Sequence, residues 1–369
     1  MKILITGSKG FIGKSLGLAL TETGKYEILT FDRGDTLDLL EKLVNQSDFI
    51  VHLAGENRPV NLQRFQEGNV DLTQALCRAI MKTGRSIPLI YSSSLQVNNS
   101  DGLYAQSKRS AEVVIKEFYE ATENPVLIYR FANVFGKWIR PNYNSVVGTF
   151  CYNITRDLPI QINDENAVIR LIYIDDVIKD IIANINSSWL GAIFGEITPE
   201  YAISVGSLAK QLYEFKHSRN TLIIPSVGAG FIRALYSTYV SYLPVEEFSY
   251  AVPKYSDERG DFVEMLKTLD AGQFSYFTAL PGVTRGGHYH HSKTEKFLVI
   301  SGKARFGFRN MITGEIHEIF TSGEKPEVVE TVPGWTHNIT NIGDEKMIAM
   351  LWANEIYNRE SPDTIPSKV

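Results

Sequence analysis

The chain has 369 residues, of which 44% are hydrophobic and 21% charged, with a formal net charge of −5. This length predicts two domains, and the composition excludes a fibrous or disordered chain, while the acidic balance argues against a nucleic-acid partner. Cys77 and Cys151 form no CxxC pair, no apolar run is long enough for a membrane span and no signal-peptide pattern opens the chain, so a cytoplasmic protein is expected.

Up to about residue 243, short apolar segments alternate with longer helical segments. Strands are predicted at 2–6, 27–31, 49–53, 88–92 and 126–129, and helices at 11–20, 70–81 and 104–121. This alternation is typical of a parallel sheet covered by helices on both faces. The first part of the chain is therefore predicted to be a Rossmann-type, doubly wound α/β domain.

After Pro244 the pattern changes to short strands separated by turn residues. Strands are predicted at 262–267, 275–279, 295–300, 304–308, 315–321 and 347–351. No helical pattern interrupts them, which favours an antiparallel barrel or jelly roll. The predicted domains are 1–243 and 253–369, joined by a packed linker at 244–252.

A glycine-rich segment follows the first predicted strand and opens the first helix. It contains Gly7, Gly10 and Gly13, with Phe11 and Ile12 between the last two. A tight turn at a helix N-terminus allows close approach of the pyrophosphate of a dinucleotide. A plain turn is the alternative, because such a glycine pattern is weak evidence by itself.

The end of the second predicted strand bears on the choice of cofactor. Asp32 would accept hydrogen bonds from a ribose hydroxyl, as in NAD sites, whereas Arg33 could pair with the 2′-phosphate of NADPH. Of these two cofactors, NADPH is favoured over NAD.

Tyr104 and Lys108 are spaced so that they share one face of a predicted helix. The ammonium favours the phenolate, so this tyrosine can give or take a proton while a hydride moves to or from a carbonyl carbon. Ser94, the last of three serines ending a predicted strand, can polarise the carbonyl oxygen. The same spacing recurs at Tyr250 and Lys254, where an intervening proline and the linker position indicate chance.

Several segments together resemble an extended short-chain dehydrogenase/reductase over most of residues 1 to 180. They are 6–13, 52–55, Asn69, 92–94, Tyr104 with Lys108, and 130–136. The resemblance implies a nucleotide-sugar substrate, and it implies site residues as follows: cofactor contacts from Leu53, Ala54, Gly55, Tyr104 and Lys108, and a substrate contact from Asn133.

Two further positions refine this resemblance. Lys137 and Arg140, in a polar segment, are candidates for anchoring the substrate phosphates, and a solvated loop is the alternative. Sugar dehydratases of this group carry an acidic pair directly after the catalytic hydroxyl residue, where this chain has Leu95 and Gln96. Neither can act as an acid or base, so carbonyl reduction or C4 epimerisation is preferred over dehydration.

Histidines and a glutamate in the second part have the spacing of a metal site. His288 and His290 would share one face of a strand, with Glu295 across a turn and His337 further on. These residues and the glycines around them resemble the two motifs of a cupin. Such a ligand set suits zinc, and also iron, manganese or nickel, while surface histidines are the alternative.

Residues 257–264 and 282–289 also resemble the metal-free cupin epimerase of the rhamnose pathway. The base of that family matches His288. A histidine bound to a metal has no lone pair to act as a base, so His288 is assigned as a ligand. The epimerase base is left open among Tyr289, His291 and Lys296.

The whole chain, including residues 352–355, resembles the bifunctional C3-epimerases/C4-reductases of bacterial capsular polysaccharide synthesis. The resemblance implies conversion of a UDP-2-acetamido-4-keto-6-deoxyhexose to UDP-2-acetamido-2,6-dideoxy-talose, on the route to UDP-N-acetyl-L-fucosamine, with NADPH, zinc and a homodimer. Epimerisation must come first, because reduction removes the ketone that makes the neighbouring proton acidic. The alternatives are an NAD-retaining C4-epimerase with a structural cupin, and a non-enzymatic redox-sensing scaffold.

Overall fold

The computed structural model describes residues 1–99, 101–257, 260–263, 266–268, 272–355 and 360–369. The chain divides into two compact units, one made of Met1–Phe135 and Ile169–Ala202 and the other of Gly136–Val168 and Ile203–Val369. The domain limits at residues 243 and 253 come from sequence pattern rather than from contacts, and they stay a prediction.

The helices of the described chain vary from one turn to almost six turns. They are α1 Phe11–Thr23, α2 Leu37–Gln46, α3 Gln63–Phe65, α4 Leu72–Thr83, α5 Gln96–Asn99, α6 Leu103–Thr122, α7 Val146–Ile154, α8 Ile174–Ile185, α9 Val205–Thr221 and α10 Gly230–Val240. A π-helix at Gln66–Asp71 precedes α4, and a 3-10 helix occupies Val245–Glu247. In the part of the chain that is described, no helix combines the length and apolar character needed to cross a bilayer.

A parallel sheet forms the centre of the first unit. The strands up to Ser204 are β1 Lys2–Thr6, β2 Glu27–Phe31, β3 Phe49–His52, β4 Leu89–Ser94, β5 Val126–Phe131, β6 Asn133–Phe135, β7 Val168–Tyr173, β8 Ala192–Gly195 and β9 Glu200–Ser204. The main sheet has the order β2-β1-β3-β4-β5-β8 with parallel pairing throughout, and β6, β7 and β9 form a smaller sheet.

The central strands are apolar on both faces because helices cover both. Residues 3–5 of β1, 49–51 of β3 and 89–91 of β4 are all buried. Continuous apolar runs of this kind are typical of parallel sheets, whereas strands of a sheet with one solvent-exposed face alternate apolar and polar residues. The prediction of a doubly wound α/β domain is confirmed.

The second unit contains α7, α9 and α10 together with antiparallel sheets. The remaining strands are β10 Ile223–Ile224, β11 Ser249–Ala251, β12 Lys254–Asp257, β13 Gly260–Val263, β14 Lys267–Thr268, β15 Gln273–Ala279, β16 Thr284–Tyr289, β17 Glu295–Ser301, β18 Lys303–Asn310, β19 Ile316–Ser322, β20 Glu327–Glu330, β21 Trp335–Asn341, β22 Met347–Ala353 and β23 Ile365–Pro366. Two five-stranded sheets have the orders β11-β20-β17-β22-β15 and β19-β18-β21-β16-β23, which confirms the predicted all-β cupin architecture.

Residues just after Pro244 are packed into the core of this unit. Phe248 is fully buried, and its ring centroid lies 5.0 Å from that of Trp335 and 5.5 Å from that of Phe308. Edge-to-face rings at these distances add to the burial energy of the side chains themselves. The segment predicted as a linker therefore contributes a core residue.

The observed strands agree with most of the predicted ones, with a few differences. The predicted strand 262–267 is observed only as β13 and the start of β14, and residues 264 and 265 lie outside the described part of the chain. The helix predicted to start at residue 70 is α-helical only from Leu72, because the π-helix occupies the preceding turn. The strand predicted to carry His288 is observed as β16, and β20 and β21 are among the strands that were not predicted.

Candidate functional site

The turn between β1 and α1 packs closely against the chain that follows β3. Gly7 has a φ of +72°, and a Cβ there would lie 2.7 Å from the Ala54 nitrogen. A Cβ at Gly13 would lie 2.3 Å from the Gly7 carbonyl oxygen, which also accepts the Gly10 N–H at 3.0 Å. Side chains at these positions would force the turn apart. The turn leads directly into α1, whose first residues are the half-buried Phe11 and Ile12, so it has the geometry expected for binding a pyrophosphate.

Asp32 and Arg33 follow β2 and play different parts. The buried Asp32 carboxylate accepts hydrogen bonds from the Ser8 hydroxyl at 2.6 Å and from the Lys9 N–H at 2.9 Å. The Arg33 guanidinium is 72% exposed and pairs with Glu56. Asp32 therefore holds the glycine-rich turn, and Arg33 is an exposed cation beside it.

Residues 53–55, after β3, pass close to a buried lysine. A Cβ at Gly55 would lie 2.8 Å from Asn69 Oδ1 and 3.1 Å from Lys108 Nζ. The Leu53 N–H donates to the Thr6 carbonyl oxygen at 3.1 Å, which continues the pairing of β1 with this segment. Glycine at position 55 therefore leaves the space that the ammonium group occupies.

Three predicted catalytic residues meet at the carboxyl end of β4. Ser94 ends this strand, and Tyr104 and Lys108 lie one turn apart on α6. The Ser94 side chain lies close enough to the Tyr104 hydroxyl to act on its pKa, and the Lys108 ammonium donates to the Ser92 carbonyl oxygen at 2.9 Å. Ligands of open α/β sheets bind outside the carboxyl ends of the strands, which is where this group lies.

Burial changes the acidity of these groups in opposite directions. It raises the pKa of Tyr104, although the hydrogen bond with Ser94 acts the other way. It lowers the pKa of Lys108 to about 8, against the attraction of Glu112. A protonated tyrosine one helical turn from a buried lysine with a lowered pKa is suited to proton transfer.

Glu112 is a buried residue of this region that the sequence analysis missed. Its carboxylate accepts hydrogen bonds from the Ser93 hydroxyl at 2.6 Å and from Arg130 at 2.9 and 2.6 Å. Because Ser93 precedes Ser94, this network supports the strand end that carries the catalytic hydroxyl. The one sequence signal is the spacing of Glu112 from Lys108, which is common on exposed helices and so does not single it out.

The candidate substrate-binding residues differ in their surroundings. Asn133, on β6, is exposed, and its side-chain amide donates to the Arg170 carbonyl oxygen at 3.0 Å. Lys137 is only 1% exposed, and its Nζ lies 5.2 Å from the centroid of the Trp138 ring, which contradicts the solvated-loop alternative for this residue. Arg140 is exposed.

Four potential metal ligands converge in the second unit. The ligand atoms of His288, His290, Glu295 and His337 all lie within 4.8 Å of one another. The pairing of β16 with β21 places His288 opposite His337, and their ring centroids are 4.7 Å apart. Glu295 begins β17, on the other large sheet. The cluster therefore needs both sheets.

His288 and His290 point into the same cluster as predicted, although only His288 lies within the strand. β16 ends at Tyr289, so His290 is the first residue after the strand, and the register of β16 on β21 shifts between Gly286 and His288. An irregularity of this kind changes the direction of side chains at the end of a strand. The two imidazole centroids lie 5.0 Å apart.

The chemistry of these four residues fits a divalent metal. Both ring nitrogens of His337 are buried and have no hydrogen-bond partner among the described residues. Burial lowers the pKa of His288 to about 3 and also lowers that of His337, so both imidazoles are neutral. Glu295 Oε2 lies 3.2 Å from His290 Nε2 and 3.5 Å from His337 Nε2, and although burial acts to raise the pKa of Glu295, the nearby histidines hold it low. Neutral imidazoles with one carboxylate suit zinc, iron, manganese or nickel.

The candidates for the epimerase base are reduced by their contacts. The Lys296 ammonium donates to Glu330, and although burial acts to lower the pKa of Lys296, the Glu330 carboxylate raises it. An ammonium held in this way has no site free for a further proton, which argues against Lys296 as the base. Tyr289 is buried, and its ring centroid is 5.4 Å from that of His291. These two remain candidates.

Comparison with protein families gives a match for each part of the chain. Residues 3–189 match the model of the NAD-dependent epimerase/dehydratase family. Residues 255–365 match the polysaccharide biosynthesis C-terminal domain. The first match includes the glycine-rich turn and the residues around Tyr104, and the second includes all four potential metal ligands.

Curated and solved relatives extend this match to the whole chain. The UDP-2-acetamido-2,6-β-L-arabino-hexul-4-ose reductase of Pseudomonas aeruginosa is 56% identical over 369 residues, covering 100% of this chain and 99% of that protein. The crystal structure of the capsular polysaccharide assembling protein CapF of Staphylococcus aureus covers 100% of both chains, with 41% identity and a TM-score of 0.68. The UDP-glucuronic acid 4-epimerase of Bacillus cereus, solved with NAD, is similar in fold, with 21% identity over 58% of this chain and 83% of its own and a TM-score of 0.53.

Proposed function

Because the chain belongs to the NAD-dependent epimerase/dehydratase family, we propose that it converts a UDP-2-acetamido-4-keto-6-deoxyhexose in two steps to UDP-2-acetamido-2,6-dideoxy-talose. The chain is an enzyme of nucleotide-sugar and polysaccharide biosynthesis. In this proposal the cupin part inverts C3 and the reductase part then reduces the C4 ketone. The single observation that carries it is that a hydroxyl–tyrosine–lysine group and a buried ligand cluster of three histidines and a glutamate occur in the same chain.

Ser94, Tyr104 and Lys108 are assigned to the reduction. NADPH, when bound, supplies the hydride. The Ser94 hydroxyl would hydrogen-bond the C4 oxygen, and Tyr104 would donate its proton to that oxygen as negative charge develops there. The Lys108 ammonium, close to residues 53–55, would favour the phenolate that is left. Acid–base catalysis of this kind contributes about 10²- to 10⁴-fold to a rate.

The nucleotide contacts of this proposal come from the turn after β1. Gly7, Gly10 and Gly13 would admit the pyrophosphate, and Asp32 would face the adenosine ribose. The exposed Arg33 is the cation that a 2′-phosphate needs, which supports NADPH over NAD. The ratio of kcat/KM for NADPH and NADH, in the wild type and in Arg33→Ala, tests this choice. An unchanged ratio in the variant would remove Arg33 from cofactor selection.

The epimerisation is assigned to the cupin part, where His288, His290, Glu295 and His337 would hold one divalent metal, zinc in this proposal. Such an ion stabilises negative charge on an oxygen next to an acidic C–H bond. The proton beside the C4 ketone is acidic only while the ketone exists. Epimerisation at C3 must therefore precede reduction, which makes the two activities successive steps.

We also assign the enzyme to the cytoplasm as a homodimer. The two cysteines, Cys77 and Cys151, are buried and unpaired, as is usual for proteins of a reducing compartment. Two-fold dimers are the commonest oligomers of soluble enzymes, and the dimer is the form that resemblance to the capsule enzymes implies. Light scattering of the purified protein tests the dimer, and a monomeric mass would contradict it.

Proton NMR in deuterium oxide tests the two activities separately. With a UDP-linked 4-keto-6-deoxy-N-acetylhexosamine and no NADPH, deuterium should appear at C3, and adding NADPH should then give the reduced 6-deoxy-talose sugar. His337→Ala should abolish the C3 exchange, whereas the exposed His217→Ala on α9 serves as the matched control. Normal reduction without any C3 exchange in the wild type would overturn the bifunctional proposal.

A further inference from the structure

The loop between two of the metal ligands is fixed by a residue close to the C-terminus. Residues 291–294 connect His290 to Glu295, and the Asp363 carboxylate lies at the start of this loop. Its Oδ1 accepts the His291 N–H at 2.8 Å, and its Oδ2 accepts the Lys293 N–H at 2.7 Å. A carboxylate that accepts several backbone N–H groups forms strong, charge-assisted hydrogen bonds.

Ser292, in the middle of the same loop, forms hydrogen bonds with both Asp363 and Ser237. Its N–H and its hydroxyl donate to Asp363 Oδ2 at 2.7 and 3.0 Å. The Ser237 hydroxyl, on α10, donates to the Ser292 carbonyl oxygen. The loop therefore has few backbone groups that could rearrange while the Asp363 carboxylate is in place.

Asp363 also contacts a ligand directly through its backbone. The Asp363 carbonyl oxygen is hydrogen-bonded to His290 Nδ1, so this nitrogen carries the proton. The other nitrogen, Nε2, then keeps its lone pair and lies 3.2 Å from Glu295 Oε2, inside the ligand cluster. Hydrogen bonds of this kind determine which nitrogen of a ligand histidine binds the metal.

The residues after Asp363 continue onto the strands that carry the other histidines. Pro366 of β23 pairs with His288 of β16, and the Ser367 N–H donates to the Gly287 carbonyl oxygen at 2.9 Å. The Thr336 hydroxyl, next to His337, donates to the Ser367 carbonyl oxygen at 2.8 Å. Residues 363–367 thus contact the chain next to all three histidines of the cluster.

We propose that Asp363 is a positioning residue, and that residues 363–367 form a C-terminal strap that holds His288, His290 and His337 in the geometry that binds the metal. The proposal rests on the metal site of the proposed function. It assigns the strap no chemical step. Without the Asp363 carboxylate, residues 291–294 should become mobile in the metal-free protein. Metal binding would then have to order them, and this cost would lower the affinity for the metal.

Zinc affinity of the full-length protein tests the strap without reference to activity. Metal-free wild type and Asp363→Asn are titrated with Zn²⁺ in competition with a chromophoric chelator. An asparagine can offer one oxygen, but its NH₂ group then faces an N–H donor of the loop. We expect zinc affinity to fall about 10- to 100-fold, the range usual for groups that orient metal ligands. The exposed Asp344→Asn in the same unit should bind as the wild type does.

Hydrogen exchange provides a second measurement on the same proteins. In the metal-free state, amide exchange at residues 291–293 should be faster in Asp363→Asn than in the wild type, with the rest of the cupin part unchanged. If Asp363→Asn does not fold, the zinc affinity of Asp363→Glu tests the proposal instead. This variant keeps the charge but displaces the carboxylate by one methylene, so its zinc affinity should also be lower than that of the wild type.

The outcomes separate the strap from the metal site. Wild-type zinc affinity in a folded Asp363 variant would overturn the strap and leave the metal site standing. Failure of the wild type itself to bind Zn²⁺ would overturn the metal site of the proposed function and the strap with it. Loss of affinity in Asp344→Asn as well as in Asp363→Asn would show an effect of charge alone and would also overturn the strap.

Discussion

At the scale of single residues, burial determines which groups are charged. It lowers the pKa of Lys108 to about 8 and that of His288 to about 3, while it raises the pKa of Tyr104. The tyrosine is thereby kept as a protonated acid, the lysine becomes easier to deprotonate, and the histidine is kept as a neutral donor of a lone pair. The same physical effect therefore prepares acid–base chemistry in one unit and metal binding in the other.

Replacing Tyr104 by phenylalanine removes the proposed proton donor and keeps the ring. We expect kcat for ketone reduction to fall about 10²- to 10⁴-fold, because the C4 oxygen then lacks a positioned acid. NADPH binding, measured by fluorescence titration, should change little. The exposed Tyr213→Phe on α9 is the control, and a Tyr104→Phe enzyme with wild-type kcat would contradict the assigned role.

His52 should make the first unit sensitive to acid. It is fully buried between the hydroxyls of Thr6 and Thr73, at 2.6 and 2.9 Å, and burial lowers its pKa from 6.5 to about 3, with a smaller contribution from Lys108. Below pH 6.5 His52 binds a proton in the unfolded chain, whereas in the folded chain it stays neutral down to about pH 3. The stability contributed by neutral His52 is therefore present above pH 6.5 and is lost as pH falls.

Urea unfolding at pH 7 and pH 5 measures this effect. The difference in unfolding free energy between the wild type and His52→Asn should shrink by about 2 kcal/mol from pH 7 to pH 5. The exposed His217→Asn should show no such change. A difference that is the same at both pH values would show that His52 takes up a proton as readily in the folded chain as in the unfolded one.

At the scale of secondary structure elements, the sites lie where elements end. Ser94 is the last residue of β4, Glu295 is the first of β17, and His290 directly follows β16. Backbone groups at such ends do not all form hydrogen bonds within the sheet. The side chains there are therefore not restricted to the two faces of the sheet. Hydrogen bonds from other elements are then needed to keep these ends in place, as Glu112 does behind β4.

One buried ion network joins three elements of the second unit. Glu330 of β20 accepts hydrogen bonds from Arg219 of α9 and from Lys296 of β17, and all three side chains are largely buried. Burial alone would raise the pKa of Glu330, but the attraction of Arg219 and then of Lys296 keeps it low. The helix is thereby tied to the strand that begins with Glu295.

Glu330→Gln should destabilise the second unit strongly. Removing the shared carboxylate leaves Lys296 without its carboxylate partner and Arg219 with the more distant Glu247 carboxylate at 3.8 Å. Breaking a buried pair in this way costs about 3 to 5 kcal/mol. Glu327→Gln, at the start of the same strand, breaks a pair with the 68%-exposed Lys325 and should cost about 1 kcal/mol or less. Equal unfolding free energies for the two variants would mean that the network contributes little.

At the scale of the whole molecule, two chemically dependent reactions are assigned to different groups of residues. The reductase candidates, Ser94, Tyr104 and Lys108, all lie in the first unit, and the four metal ligands all lie in the second. The proposed sequence forms no covalent bond between the protein and its intermediate, a nucleotide sugar with a C4 ketone. The intermediate can therefore leave one enzyme molecule and be reduced by another.

Two inactive variants should complement each other in a mixture. Tyr104→Phe retains the metal ligands and His337→Ala retains the reductase group, so neither alone should give the talose product. Mixed in equal amounts, they should form it at a rate that rises with enzyme concentration, followed by NADPH oxidation and NMR. Mixing Tyr104→Phe with Lys108→Met, both altered in the reductase part, is the control. No product from the first mixture would contradict exchange of a free intermediate.

The sequence by itself determined what depends on local spacing. The alternation of strands and helices, the turn with Gly7 and Gly13, and the shared helix face of Tyr104 and Lys108 were predicted from residues near one another in the chain. The grouping of His288, His290 and Glu295 was predicted in the same way, and His337 was added from the resemblance to the second cupin motif. Local spacing is sufficient there because helices and strands have fixed periods, so a sequence distance of four or two residues already specifies a direction in space.

Only the tertiary structure decided what depends on distant residues meeting. Asp363 lies beside His290, Glu330 lies between Arg219 and Lys296, and the burial of Lys137 could not be foreseen. Such contacts are not encoded by a period. They follow from strand register and close packing, which depend on many weak interactions across the whole chain. A carboxylate that looks ordinary in the sequence therefore becomes a positioning or ion-pairing group only when the folded chain surrounds it.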